Sequence, residues 1–146
     1  MTASAADALA LLAPDTPDTW PAGITAAADL REQRAEAVPH GPWSWIAGRS
    51  YPQRITNPEA YVIAETFDNP DLGAVTSEHI AAEANPQHVR FAVRRWRGTV
   101  ERHRPIDGSG RPDSACFGCR YNGPWTGCPD LTEVADEART YLGGSP

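Results

Sequence analysis

A chain of 146 residues, 40% hydrophobic and 22% charged, has the length of one domain and enough apolar material for a modest core. Its net charge of −6 argues against general nucleic-acid binding, and no apolar run is long enough to span a bilayer. MTASAADALALLAP at the N-terminus lacks a positively charged start and does not read as a signal peptide. The expected setting is a reducing cytoplasm, where clustered cysteines bind metal more often than they pair.

Residues 1–22 are read as an N-terminal tail, with a short helix over Ala5–Leu12 as the equal alternative, and residues 23–146 as a single α+β domain. Ile24, Ala27, Ala28, Arg31, Ala35 and Val38 fall near one helical face and predict a helix over 24–38 that Pro39 stops. Trp43-Ser-Trp-Ile and Tyr61–Thr66 are short aromatic or β-branched runs that predict a small antiparallel sheet, with residues 48–60 as their connection. A short helix is expected over Thr76–Ala84, capped by Thr76 or Ser77. Asn85-Pro86 ends it and opens the next, with asparagine as N-cap and proline at the first helical position. From Pro86 to His103, residues Val89, Ala92, Val93, Trp96 and Val100 follow a buried stripe, and one further step reaches His103. The last of the three main helices covers Leu131–Leu142, with Asp130 and Glu133 as a capping box and Gly143-Gly144 as its stop. Leu131, Val134, Ala135, Ala138, Tyr141 and Leu142 form its inner face.

DSACFGCRYNGPWTGCPD, residues 113–130, holds every cysteine of the chain. Cys116 and Cys119, two residues apart, can reach one ion from a tight knuckle, and Gly118 between them suits the turn. Cys128 returns after an eight-residue loop containing the turn signal Asn122-Gly123-Pro124. Among His40, His79, His88 and His103, only His103 lies close in sequence and continues a buried stripe. The expected site is a structural Zn2+ held by His103, Cys116, Cys119 and Cys128, a knuckle over 103–128. The competing reading of His103 is a helix-end histidine favoured by the helix dipole. A catalytic zinc of the deaminase type needs His-x-Glu or Cys-x-Glu and a proline before Cys-x-x-Cys; Ala115 stands there and no such pair occurs. His-Glu-x-x-His is missing as well.

The order of a helix, His40-Gly-Pro-Trp43, Val62-Ile-Ala-Glu65, then Ser77-Glu-His-Ile-Ala-Ala-Glu-Ala-Asn-Pro86 and an amphipathic helix resembles the Ead-like accessory proteins of bacteriophages. The second half runs helix, His103-Arg-Pro, Cys-x-x-Cys, Trp125-x-x-Cys-Pro, helix. It resembles small proteins with Cys-rich tails from actinobacteria and their phages. Together the two resemblances cover roughly residues 24–142. They imply a phage or prophage accessory protein in the cytoplasm of a bacterial host cell, where small acidic proteins often bind host machinery. They imply no activity and no residue roles.

Two functions compete. The first is a non-enzymatic protein that binds a host macromolecule, above all a host protein, with tryptophan, tyrosine and arginine as anchors. The second is a nucleic-acid-binding zinc module using the arginine-rich helix 90–104. Arg90, Arg94, Arg95, Arg97, Arg102, Arg104, Arg111 and Arg120 stand against three acids over residues 90–120. Against it stands a solvated face neutralised by the acidic remainder of the chain. An enzyme ranks third: Glu65, Asp68, Asn69, His79 and Glu83 share no spacing that demands chemistry. No membrane partner is expected.

Overall fold

The computed structural model describes residues 3–39, 41–45, 53–59, 61–66, 80, 85–119 and 123–143. Among these lie four α-helices, α1 (Ala5–Leu11), α2 (Trp20–Glu36), α3 (Pro86–Arg102) and α4 (Pro129–Tyr141). Three strands, β1 (Ser44–Trp45), β2 (Gln53–Thr56) and β3 (Val62–Thr66), complete the expected α+β class. The chain falls into two compact units, one of Met1–Arg31 with Val93–Pro146 and one of Glu32–Ala92. His40, Ile46, Asp68, Asn69, His79, Glu83, Arg120 and Asn122 lie outside the described residues, as does the helix expected over Thr76–Ala84 apart from the helical Ile80.

In the first unit, α1 starts at a reciprocal cap. The Ser4 hydroxyl accepts from the Asp7 N–H at 3.1 Å while the Asp7 carboxylate accepts from the Ser4 N–H at 3.1 Å. Of the two alternatives for the N-terminus, the helix is the one formed, and Ala8 and Leu12 are fully buried. The turn that follows is closed by the Thr19 hydroxyl on the Leu11 carbonyl at 2.6 Å and the Trp20 indole N–H on the Ala13 carbonyl at 2.8 Å. Helix α2 begins at Trp20, ahead of the expected Ile24. Pro21 sits in its first turn, where a missing N–H costs nothing, so the proline opens the helix. Ile24, Ala27 and Ala28 are buried as the periodicity predicts, whereas Val38 lies beyond the helix end and is exposed.

Helix α3 contributes Val93 and Trp96 to this core, and α4 contributes Leu131, Val134, Ala135 and Ala138. The Trp96 indole N–H donates to Glu137 at 2.8 Å, and the Arg31 guanidinium stands 4.9 Å from the centroids of both Trp96 and Tyr141. Arg139 lies off the stripe read from the sequence, yet it is buried. Its Nε donates to the Leu12 carbonyl at 2.7 Å, its Nη1 pairs with Asp136, and it faces the Trp20 ring at 5.4 Å. These contacts tie the α1 end to the last helix. Arg139→Met keeps the aliphatic stem but strips the Leu12 carbonyl of its donor. The expected loss is about 1–3 kcal/mol, read as a lower urea midpoint at unchanged slope.

In the second unit the strands form one antiparallel sheet in the order β1-β2-β3, with Ser44 opposite Thr56 and Ile55 opposite both Trp45 and Ala64. The residues expected as a connection therefore contain the central strand. Arg54-Ile55-Thr56 is too short a β-prone run to stand out beside Pro52 and Pro58, but Ile55 is fully buried and fixes the register. The β2–β3 turn closes on Asn57, whose side chain accepts from the Tyr61 N–H at 2.9 Å. Helix α3 opens as expected on Asn85, whose side chain accepts from the Gln87 N–H at 3.1 Å and whose carbonyl accepts from the Val89 N–H at 3.0 Å. No helix among the described residues is long and apolar enough to cross a membrane.

Candidate metal centre

The α3 stripe continues to His103, 5% exposed, whose N–H donates to the Thr99 carbonyl at 2.9 Å. Beyond it, Arg104–Ile106 runs antiparallel to Ala115–Phe117. Ile106 N–H donates to Ala115 at 2.9 Å, and Phe117 N–H donates to Arg104 at 2.8 Å. Strand-like alternation turns Cys116 inward and leaves Ile106 and Phe117 in solvent. The intervening loop is held by Asp107, whose carboxylate accepts from the Ser109 hydroxyl, the Ser109 N–H and the Ser114 hydroxyl at 2.7, 3.0 and 2.9 Å. The bonds from Ser109, then Ser114, hold the Asp107 carboxyl down at about 2. Buried Trp125 closes the loop from the other side, its indole N–H on the Arg111 carbonyl at 2.7 Å.

Helix α4 starts differently from the expectation. Its N-cap is Cys128 and Pro129 occupies its first turn, so Asp130 is inside the helix and caps nothing. The capping box of Asp130 with Glu133 is thus corrected. The Asp130 carboxylate instead lies 3.1 Å from His103 Nε2, while His103 Nδ1 faces Cys128 Sγ at 3.2 Å and Cys116 Sγ at 3.4 Å. With Cys119, the four donor atoms all lie within 4.8 Å of one another. A tetrahedron with metal–sulfur bonds near 2.3 Å and a metal–nitrogen bond near 2.0 Å separates its corners by about 3.5–3.8 Å. The cluster fits such an ion after small side-chain rotations. Cys116 and Cys128 are buried and Cys119 is half-buried.

Burial first, then the neighbouring Cys119 and Cys116, push the Cys128 thiol from 9.0 up to about 12 against two backbone hydrogen bonds. Without metal, folding favours the protonated thiol; that contribution is complete below pH 9.0 and is lost as pH climbs towards about 12. With metal the thiolate is the folded form, and stability falls on acidification instead. Melting curves from about pH 5 to about pH 10 should therefore show metal-free protein weakening at the alkaline end and metal-loaded protein at the acid end. The same trend in both forms would contradict a shared thiolate site.

No family model, curated protein or solved structure matches the chain. The structure brings all four expected ligands together, and several of the arginines have partners within the chain. Arg95 pairs with Glu137, Arg97 with Asp29 at 2.7 Å and Arg111 with Asp113 at 3.6 Å. Arg102 Nε turns back to the Gly98 carbonyl at 3.2 Å, and Arg104 bonds the Glu101 carbonyl and lies 4.6 Å from the Phe117 centroid. Arg90 and Arg94 are exposed on α3. The residue that sequence reasoning missed is Asp130. Its only signal was a carboxylate two positions after Cys128, which fits a helix cap equally well.

Proposed function

We propose that this chain is a non-enzymatic accessory protein of a phage or prophage that binds a host macromolecule, above all a host protein, and carries one structural Zn2+. The observation that carries the zinc assignment is the closed donor set: His103 Nδ1 and three thiols within 4.8 Å of one another. One imidazole and three thiolates suit zinc, and a fourth protein ligand fills the position that a catalytic water would need. The metal then holds the end of α3 to the start of α4 and leaves the outer surface for recognition. The phage setting and the host partner rest on the resemblance of the His40–Pro86 and His103–Pro129 patterns.

Metal analysis of protein purified without chelator should give one zinc per chain; a metal-free, folded product would defeat the assignment. Affinity capture from actinobacterial lysate with and without nuclease tests the partner. A single host protein retained after nuclease, and rebinding when purified, supports protein recognition.

The exposed Arg90 and Arg94 and the Arg104–Phe117 stack favour nucleic acid as a second reading. The ion pairs of Arg95, Arg97 and Arg111 weigh against it. A gel shift with scrambled DNA that falls steeply with salt would support this reading, and no shift at low salt would remove it.

A further inference from the structure

Resting on the zinc assignment, we infer that Asp130 is the positioning residue of the metal centre: it fixes the proton of His103 on Nε2 and so presents Nδ1 to the metal. A neutral imidazole carries one N–H and one lone pair, and which nitrogen binds metal is set by the bond that the other makes. His103 is 6% exposed at its side chain, so its polar atoms are settled by protein partners. Nε2 faces the Asp130 carboxylate at 3.1 Å, and an ionised carboxylate can only accept. The proton is therefore held at Nε2. Nδ1 points its lone pair at the Cys116 and Cys128 sulfurs, 3.4 and 3.2 Å away, where the ion would sit.

The local sequence explains the placement. Cys128 is the N-cap of α4 and Pro129 its first helical residue, so Asp130 lies one step into the first turn, with its carboxylate 3.1 Å from His103 Nε2. The backbone N–H groups of Asp130 and Leu131 bond the Cys128 sulfur, and the start of the helix favours negative charge there. One short segment, Cys128-Pro-Asp130, thus supplies both a ligand and the acceptor that orients the ligand from α3. Such outer partners are typically worth 10–100-fold in metal affinity. Asp130 is 61% exposed at its side chain, and solvent screening puts its effect near the lower end of that range.

Zinc affinity of the full chain, measured by competition with a chromophoric chelator, is read beside long-range 1H–15N correlations of the His103 ring. Wild type should bind one zinc through Nδ1 with the proton on Nε2. Asp130→Ala should bind zinc about tenfold more weakly and lose the fixed proton. Asp130→Asn retains an oxygen acceptor; it should stay within about threefold of wild type and keep the Nε2 proton. This rescue separates orientation from a general fold defect. An Asp130→Ala chain equal to wild type in affinity and ring spectrum would overturn the role while leaving the zinc assignment intact. A wild-type chain with no zinc would overturn the assignment and the role with it.

Discussion

Stripping zinc with a strong chelator is expected to open the Arg104–Phe117 ribbon and lower the melting temperature of the unit containing it by about 12 °C or more, at about 4–8 °C per kcal/mol. In small metal-dependent domains, apparent zinc binding energies of about 10–16 kcal/mol appear as folding energy. Only part of that is at stake here, because Leu12, Ile24, Trp96, Leu131 and Val134 supply buried apolar surface to the same unit without ligating anything. A loss of about 3 kcal/mol or more is expected, with helix signal partly retained. Cys128→Ser should move melting the same way, since a neutral hydroxyl is a poor replacement for a thiolate ligand. An unchanged melting curve after chelation, confirmed by metal analysis, would contradict the proposed centre.

Gly118→Ala should damage the same centre without touching a ligand. The sequence points to Gly118 for its turn, but positive φ falls at Gly108, Gly110 and Gly143 and not there. The glycine serves close approach instead. A Cβ at Gly118 would meet the carbonyl group of Arg102, its carbon at 2.8 Å, and both obstacles are backbone. Nothing flexible can give way, so either the knuckle or the end of α3 must shift. Overpacking of this kind costs about 1–3 kcal/mol. Because Arg102 precedes His103, the shift also misplaces a ligand, and zinc affinity should fall together with stability. Equal stability and affinity in the variant would show that the knuckle tolerates a side chain there.

What was legible in the sequence had local causes. His103 could be found because an α-helical stripe repeats predictably: Val93, Trp96 and Val100 point to the next inward position. Cys-x-x-Cys and Asn85-Pro86 carry their geometry within a few residues. Contacts across long separations were not legible. Glu137 neutralises Arg95 from 42 residues away, so the arginine run looked more available than it is. Central strand β2 is four residues long, and its burial depends on both neighbours. Asp130 misleads for a different reason: a carboxylate at a helix start fits either a cap or a contact with His103, and Cys128 as the N-cap leaves it the second.

The discontinuity of the first unit has a consequence for the order in which the chain is born. Residues 32–92 of the second unit are synthesised before any part of α4 exists. Leu12, whose carbonyl accepts from Arg139, precedes that partner by 127 residues, a delay of about 6–25 s at about 5–20 residues per second. Through that interval the apolar side chains of α1 and α2 lack the face of α4, and the ligand set that would fix that helix is completed only with Cys128. Of the described helices, α1 is synthesised first and its packing is completed last.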